Sequence, residues 1–151
     1  MREDVLRKKF PALAASYFRV TSPATGDYTC IAYAAGDVNR VWKPDPWPDG
    51  LYYWPAGVPR EDTVTGWARA FESLGYRAGT NLELERGVEK VAVYADARGK
   101  PQHVARQLPN GRWTSKVGTM EDIEHELEGL EGELYGHVVL LLGRRAAEPG
   151  E

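Results

Sequence analysis

Residues 90–117 read KVAVYADARGKPQHVARQLPNGRWTSKV, and this stretch decides the fold. Apolar and polar residues alternate in three runs, which predicts β-strands at Lys90–Ala95, Gln102–Leu108 and Arg112–Val117. The links between the strands contain the turn sequences Arg98-Gly99-Lys100 and Pro109-Asn110-Gly111. Because links this short join antiparallel neighbours, we expect an antiparallel meander.

The link Pro109-Asn110-Gly111 is compatible with two turns. A two-residue Asn-Gly turn would place Pro109 in a strand pair, although proline has no N–H to donate there. A type I turn with Pro109 and Asn110 in its centre, followed by a left-handed Gly111, suits all three residues. This second turn pairs Leu108 with Arg112, and it is the one we predict.

The predicted register decides which side chains share a face of the sheet. Arg106 and Lys116 point to one face, where we expect them to be solvated. A slip to the two-residue turn would exchange Ser115 for Lys116 on the other face. In the predicted register that other face carries His103, Ala105, Gln107, Trp113, Ser115 and Val117.

Helical patterns lie mainly before the meander. Residues 3–10 predict a short helix, residues 18–20 an extended segment, and residues 30–36 a helix that ends at a glycine. The clearest helix is Asp62–Leu74, with a capping residue at its start and a core-facing apolar stripe of Val64, Trp67, Phe71 and Leu74.

Two further elements are predicted after the meander. A capping-box pattern at Thr119 and Asp122 predicts a helix that carries Ile123, Leu127 and Leu130 on one face. The apolar run at residues 137–142 predicts a fully buried strand. The expected fold class is therefore α+β, with N-terminal helices, including the one that carries the cysteine, packed on an antiparallel sheet.

Composition limits the classes of function. The chain has 151 residues, a formal net charge of −3 and one cysteine. We expect one domain over residues 1–145 and a polar tail at residues 146–151.

The charge argues against a nucleic-acid partner, and the absence of a long apolar run or visible signal segment predicts a cytoplasmic protein without a membrane partner. The scattered histidines and glycines show no metal-ligand spacing and no phosphate loop, so no cofactor is expected.

The single cysteine, Cys30, lies at the first turn of its predicted helix. There the thiol would feel the positive end of the helix dipole, which favours the thiolate and would lower the thiol pKa below its usual value of about 8.5. A lone cysteine beside Ile31 and Ala32 is also typical of a small buried apolar residue. Both interpretations stay open at the level of the sequence.

His103 opens the second strand of the meander, and Ser115 shares its predicted face. Ser115 is therefore the candidate to hydrogen-bond the imidazole and orient it. A cysteine nucleophile, a histidine base and a polar orienting group are the parts of a nucleophilic acyl-transfer site. We take Cys30, His103 and Ser115 as the candidate catalytic residues.

These segments resemble a known superfamily. The run from His103 to Gly118 is similar to the His-bearing hairpin of papain-like enzymes, especially the NlpC-type and CHAP-type amidases, and the run from Tyr28 to Ala32 resembles their nucleophile segment. The whole chain also resembles an uncharacterised bacterial domain family with the motifs Tyr-x-Cys-Ile-Ala, His-x-Ala-Arg-Gln-Leu and Trp-x-Ser-Lys-x-Gly. The superfamily resemblance implies a papain-like core and cysteine amidase chemistry.

The irregular stretch at residues 37–60 contains three tryptophans, two tyrosines and five prolines. Its aromatic rings either fasten the loop to the body of the protein or line a ligand groove. His125 is predicted to be a surface residue on the polar side of its helix, and it is a minor candidate for the active site. The candidate substrate-binding residues are Tyr28, Trp42, Trp47, Trp54, Gln107 and His125.

Two functional hypotheses follow. The first is a cysteine hydrolase or acyl-transfer enzyme that acts on a peptide or another amide, with the aromatic loop as one wall of a cleft and a partly exposed tryptophan near Cys30. The alternative is a non-catalytic module that binds a protein or a ligand through aromatic residues exposed away from Cys30.

Overall fold

A seven-stranded antiparallel sheet forms the centre of the structure, a computed structural model that describes residues 2–45, 52–118 and 120–146. Its strands are β1 (Phe18–Val20), β2 (Arg77–Ala78), β3 (Val88–Ala95), β4 (Pro101–Gln107), β5 (Trp113–Lys116), β6 (Asp122–His125) and β7 (His137–Arg145). Their order across the sheet is β1-β6-β5-β4-β3-β7-β2. The predicted meander is confirmed as β3, β4 and β5, and the mixture of helices and antiparallel sheet confirms the α+β class.

Helices cover both faces of this sheet. The α-helices are α1 (Arg2–Lys9), α2 (Cys30–Ala34) and α3 (Val64–Glu72), and 3₁₀ helices span Pro11–Ala15 and Leu127–Leu130. On one face, α2 and α3 pack against Val91, Val93 and Val104. On the opposite face, α1 and the two 3₁₀ helices pack against Ala92, Tyr94 and Ala105. We call these the α2 face and the α1 face.

The turn between β4 and β5 has the predicted geometry. The Leu108 N–H donates to the Arg112 carbonyl at 2.7 Å, and the Gly111 N–H donates to the Leu108 carbonyl at 3.0 Å. Gly111 has a φ of 89°, which is the left-handed conformation that this turn requires. Gln107 pairs with Trp113, so His103, Ala105 and Gln107 do share a face with Trp113, Ser115 and Val117.

The two helices of the α2 face each begin after a threonine cap. The Thr29 hydroxyl accepts the Ala32 N–H at the start of α2, and the Thr63 hydroxyl accepts the Gly66 N–H at the start of α3. Each bond satisfies a backbone donor that has no partner inside its helix. Capping is a local property, which explains why the sequence pattern located both helix starts.

Two predictions after the meander are wrong in part. Residues 122–125 form β6 instead of a helix, because β5 and β1 pair with this segment on its two edges and take up its backbone hydrogen bonds. Only the short 3₁₀ turn at Leu127–Leu130 is helical. The strand β7 is also not fully buried, since Val139 is 52% exposed. Among the described residues, no helix is long and apolar enough to cross a membrane.

Candidate functional site

The candidate site lies at the start of α2, where Cys30 is the first helical residue. The Thr29 hydroxyl donates to the Trp42 carbonyl at 3.0 Å and accepts the Trp42 N–H at 3.2 Å, in addition to capping α2. One hydroxyl therefore ties the aromatic loop to the residue that precedes Cys30. This contact holds the aromatic loop beside the start of α2.

A cleft of about 460 Å³ opens at this point. We call it the Cys30 cleft, and its walls include Cys30, Trp42, Pro44, Asp45, Asp62 and Trp67. The Trp67 indole N–H donates to Asp62 at 3.0 Å, and the Trp42 indole N–H donates to Asp37 at 2.9 Å. Both indole N–H groups thus have partners within the protein, so the two rings offer only apolar surface to the cleft. The charged residues of the cleft lie at its rim.

Burial dominates the acidity of the Cys30 thiol. The residue as a whole is half-buried, and burial of its sulfur raises the thiol pKa to about 11. Backbone N–H groups, above all that of Val104, and the Lys116 charge oppose this rise without cancelling it. The prediction that the helix start would favour the thiolate is therefore wrong for this structure, because α2 has only five residues and desolvation outweighs its dipole.

His103 does not face Cys30. Side chains alternate along β4: Val104 packs with α2, and Ala105 packs on the α1 face. His103 is two residues before Ala105 and therefore shares its face. The His103 ring lies on the α1 face, stacked on Tyr135 with 4.3 Å between ring centres and tilted against Tyr94 at 5.4 Å. The predicted Cys30–His103 pair is therefore not assembled. The β4–β5 register is as predicted, but the face that carries His103 and Ser115 is turned away from α2.

Ser115 binds a different histidine from the one predicted. Its hydroxyl lies 2.7 Å from Nε2 of His125, and Nδ1 of His125 lies 2.7 Å from the Glu126 carbonyl, to which a ring N–H donates. Burial lowers the pKa of His125 to about 4. The prediction of a surface imidazole is wrong, because His125 belongs to a strand and points into the α1 face, fully buried.

Both ring nitrogens of His103 are buried, and neither has a hydrogen-bond partner among the described residues. Burial, with a smaller contribution from His125, holds the pKa of His103 well below its usual value. The imidazole is therefore neutral at physiological pH. Its surroundings are those of an aromatic core residue.

A buried polar cluster lies beside Cys30 on the α2 face. The Tyr28 hydroxyl donates to Asp122 Oδ2 at 2.5 Å, and the Lys116 ammonium lies 5.4 Å from the centre of the Tyr28 ring. The Lys116 ammonium also donates to the Met120 carbonyl, and burial lowers its pKa. The expectation of a solvated Lys116 is wrong, because α2 covers the face to which it points and leaves the residue fully buried.

The aromatic loop is fastened to the core by its described tryptophans. Trp42 and Trp54 are only 3% and 4% exposed, and the Trp54 indole N–H donates to the Pro59 carbonyl. Trp42 still forms one wall of the Cys30 cleft, whereas Trp54 is not among the residues that line it. Trp47 lies outside the described residues. The described tryptophans thus form no exposed patch, and the prediction of a partly exposed ring near Cys30 is not met by Trp42.

Sequence reasoning overlooked several residues of this region. Trp67 was predicted to be core, and it is, but its position in the first turn of α3 also makes it a wall of the cleft. The burial of Lys116 and Asp122 beside Cys30 was not predicted, because the strand register defines two faces of the sheet without saying which of them α2 covers. Gln107 lies away from Cys30 and lines another cavity. Within the described residues, no group of three or more His, Cys, Asp or Glu side chains is placed to hold a metal ion.

Comparison with known proteins places this site in a family. Residues 19–143 match the family described as a domain of unknown function, DUF7689. The chain belongs to this family. The match runs from β1 almost to the end of β7 and so includes every residue of the Cys30 cleft. Searches of curated proteins and of solved structures found no match.

Proposed function

We propose that this chain is a binding module for a peptide or another amide-containing ligand, and that the Cys30 cleft is its site. The observation that carries the proposal is a cleft of about 460 Å³ whose walls combine indole surfaces with a charged rim. Apolar walls with a few polar groups are typical of pockets that hold an apolar side chain and orient its polar neighbours. A peptide segment has this mixture of groups.

The walls of the cleft are held in place without a ligand. The Thr29 hydroxyl fixes Trp42, the Asp62 carboxylate fixes Trp67, and both rings are buried on their other sides by the core. A site whose walls are already ordered loses less conformational entropy on binding. This supports a binding function that does not require the thiol to react.

The test uses the full chain and N-acetyl-tryptophan amide, a capped residue that carries an apolar ring and two amide groups. We expect it to shift the backbone NMR signals of residues 29–31 and 42–45, and to slow alkylation of Cys30. Cys30→Ser should retain the affinity within about threefold, while Cys30→Trp, which fills the cleft, should weaken it at least tenfold. Equal affinity of Cys30→Trp and wild type would refute the cleft as the site.

The second candidate is the cysteine hydrolase or acyl-transfer enzyme implied by the papain-like resemblance. One observation favours it: β4 pairs with β5 only at Arg106 and Gln107, so the sheet is open beside His103. The Tyr135 ring, which stacks on His103, is within electrostatic reach of the Cys30 sulfur. A rearrangement of His103 through this opening would let it accept the thiol proton while the sulfur adds to a substrate carbonyl carbon. The imidazolium would then protonate the leaving amine, and water would hydrolyse the thioester.

The two candidates differ in what a reactive ester does to the chain. With p-nitrophenyl acetate, the enzyme predicts a burst of p-nitrophenol and an acetyl group on Cys30 that mass spectrometry detects. Both signals should vanish in Cys30→Ser and His103→Ala and persist in His137→Ala, a matched change of an exposed histidine. The binding module predicts no burst in any of these proteins, because the resting thiol is protonated and no described imidazole faces it.

A further inference from the structure

A second cleft shares Trp42, and no other lining residue, with the Cys30 cleft. It lies at the end of α2 and encloses about 470 Å³, and we call it the Arg40 cleft. Because one residue lines both clefts, a ligand longer than a single side chain can contact both. The lining of the Arg40 cleft includes Asp37, Asn39, Arg40, Trp42, Tyr53 and Leu74.

The guanidinium of Arg40 is held in place by the protein. Its Nε donates to Asp37 at 2.7 Å, and its Cζ lies 3.7 Å from the centre of the Tyr53 ring. That ring packs on Trp42 with 4.8 Å between ring centres, and the Tyr53 N–H donates to the Val41 carbonyl at 2.9 Å. A carboxylate and a ring therefore fix the guanidinium before any ligand arrives, which lowers the entropy cost of binding to it.

The other edge of the same guanidinium remains available. Asp37 engages Nε alone, and the two Nη groups have no hydrogen-bond partner among the described residues. The Arg40 side chain is 53% exposed. Asp37 itself is satisfied, since it also accepts the Asn39 N–H at 2.8 Å and the Trp42 indole N–H at 2.9 Å. A carboxylate matches the two Nη groups with two parallel hydrogen bonds.

The charges of the two clefts differ. Asp45 and Asp62 line the Cys30 cleft but not the Arg40 cleft, where the one lining carboxylate is already engaged. A second cation, Lys43, lies three residues after Arg40, with its Nζ 4.7 Å from the centre of the Tyr52 ring. This stretch of the aromatic loop therefore offers two cations to an anionic group, each held over a tyrosine.

We propose that the peptide bound by the Cys30 cleft carries an acidic residue, and that Arg40 is the specificity-determining residue that binds its carboxylate. This inference rests on the proposed function of the Cys30 cleft and names the class of its ligand, an acidic peptide. An apolar side chain occupies the Cys30 cleft, and the carboxylate of a neighbouring residue accepts two hydrogen bonds from the Nη groups of Arg40.

The test titrates the full chain with acetyl-Glu-Trp-Glu amide and with the neutral control acetyl-Gln-Trp-Gln amide. An acidic residue on each side of the tryptophan serves either direction of the bound peptide. We expect the acidic peptide to bind at least about fivefold more tightly at about 50 mM salt, and this preference to shrink at about 0.5 M salt. Only the acidic peptide should shift the NMR signals of residues 39–40.

Three variants locate the contact. Arg40→Gln should remove the preference and leave the affinity for the neutral peptide within about twofold. Asn39→Asp, at an exposed position of the same cleft, keeps Arg40 and should weaken only the acidic peptide, by about threefold or more. Arg112→Gln is the matched control, because Arg112 also lies over a tyrosine, at 3.9 Å from the Tyr17 ring centre, and also donates through Nε to a carboxylate. This variant should keep the full preference.

The outcomes separate this inference from the proposed function. Equal affinity of wild type for the two peptides, or an equal loss of preference in Arg112→Gln, overturns the inference. If both peptides still lose affinity in Cys30→Trp, the proposed function stands without it. A preference that Arg40→Gln removes and Cys30→Trp leaves intact supports Arg40 as the carboxylate site and refutes the Cys30 cleft as the site of the apolar side chain.

Discussion

Replacing His103 with phenylalanine should stabilise the protein, and increasingly so as the pH falls. The wild-type ring is fully buried, stacks on Tyr135, and has two nitrogens without a hydrogen-bond partner among the described residues. Phenylalanine keeps the ring stacking and removes both polar atoms. Each unpaired buried nitrogen costs about 1 kcal/mol or more, and the larger ring costs a similar amount through tighter packing. We therefore expect a gain of about 1 kcal/mol in the free energy of unfolding at pH 7.

The change of this stability gain with pH is a stricter test than its size at pH 7. Burial holds the pKa of His103 well below its usual value of about 6.5, so the folded protein keeps the ring neutral while the unfolded chain takes up a proton. A base of this kind contributes its full stability above the unfolded pKa and loses it as the pH falls toward the folded pKa. Below about pH 6.5 wild type therefore loses up to about 1.4 kcal/mol per pH unit, at most about 2 kcal/mol by pH 5, and the variant keeps this stability.

Urea unfolding of both proteins at pH 7, 6 and 5 measures this difference. The gain of His103→Phe over wild type should grow as the pH falls from 7 to 5, by up to about 2 kcal/mol. His125 is present in both proteins, so the effect of its titration largely cancels from the difference between their free energies of unfolding. His137→Phe is the matched control, because that side chain is exposed and its replacement should change stability little at either pH. A stability difference that does not change with pH would show that His103 is not held neutral by burial, and would refute the reasoning.

Three further changes test other parts of the structure. Tyr28→Phe removes the hydroxyl bond to the buried Asp122 carboxylate and should cost about 2 kcal/mol in urea unfolding, against about 1 kcal/mol for Tyr33→Phe, which loses a neutral bond. Lys90→Met removes an ammonium that lies within 3.0 Å of four oxygens of residues 81–85, so it should cost about 3 kcal/mol and open the bond after Arg86, at the end of this loop, to trypsin. Alkylation of Cys30 by iodoacetamide should be about 100-fold slower than that of a free thiol at pH 8 and still rise above pH 9; a plateau below pH 8 would contradict the raised thiol pKa.

The locally specified features were predictable from the sequence. The turn at Pro109-Asn110-Gly111, the approximate starts of α2 and α3, and the alternation along β4 depend on neighbouring residues and on backbone geometry. Those predictions are confirmed because proline lacks an N–H, a threonine hydroxyl satisfies a free helix donor, and side chains alternate along a strand. The chain itself therefore determined the antiparallel meander and the set of side chains on each of its faces.

Tertiary packing decided the rest of the candidate site. Ile123, Leu127 and Leu130 fit one face of a helix, but pairing with β5 and β1 draws Ile123 into β6 and buries His125 next to Ser115. Alternation likewise separates His103 from Lys116 without saying which face α2 covers. That choice depends on how residues distant in sequence bury their apolar surface together. The packing of α2 on one face placed Cys30 beside Lys116 and left His103 beside Tyr135 on the other. The local pattern could not predict this, because both faces of the sheet are apolar and either set of helices could cover either face.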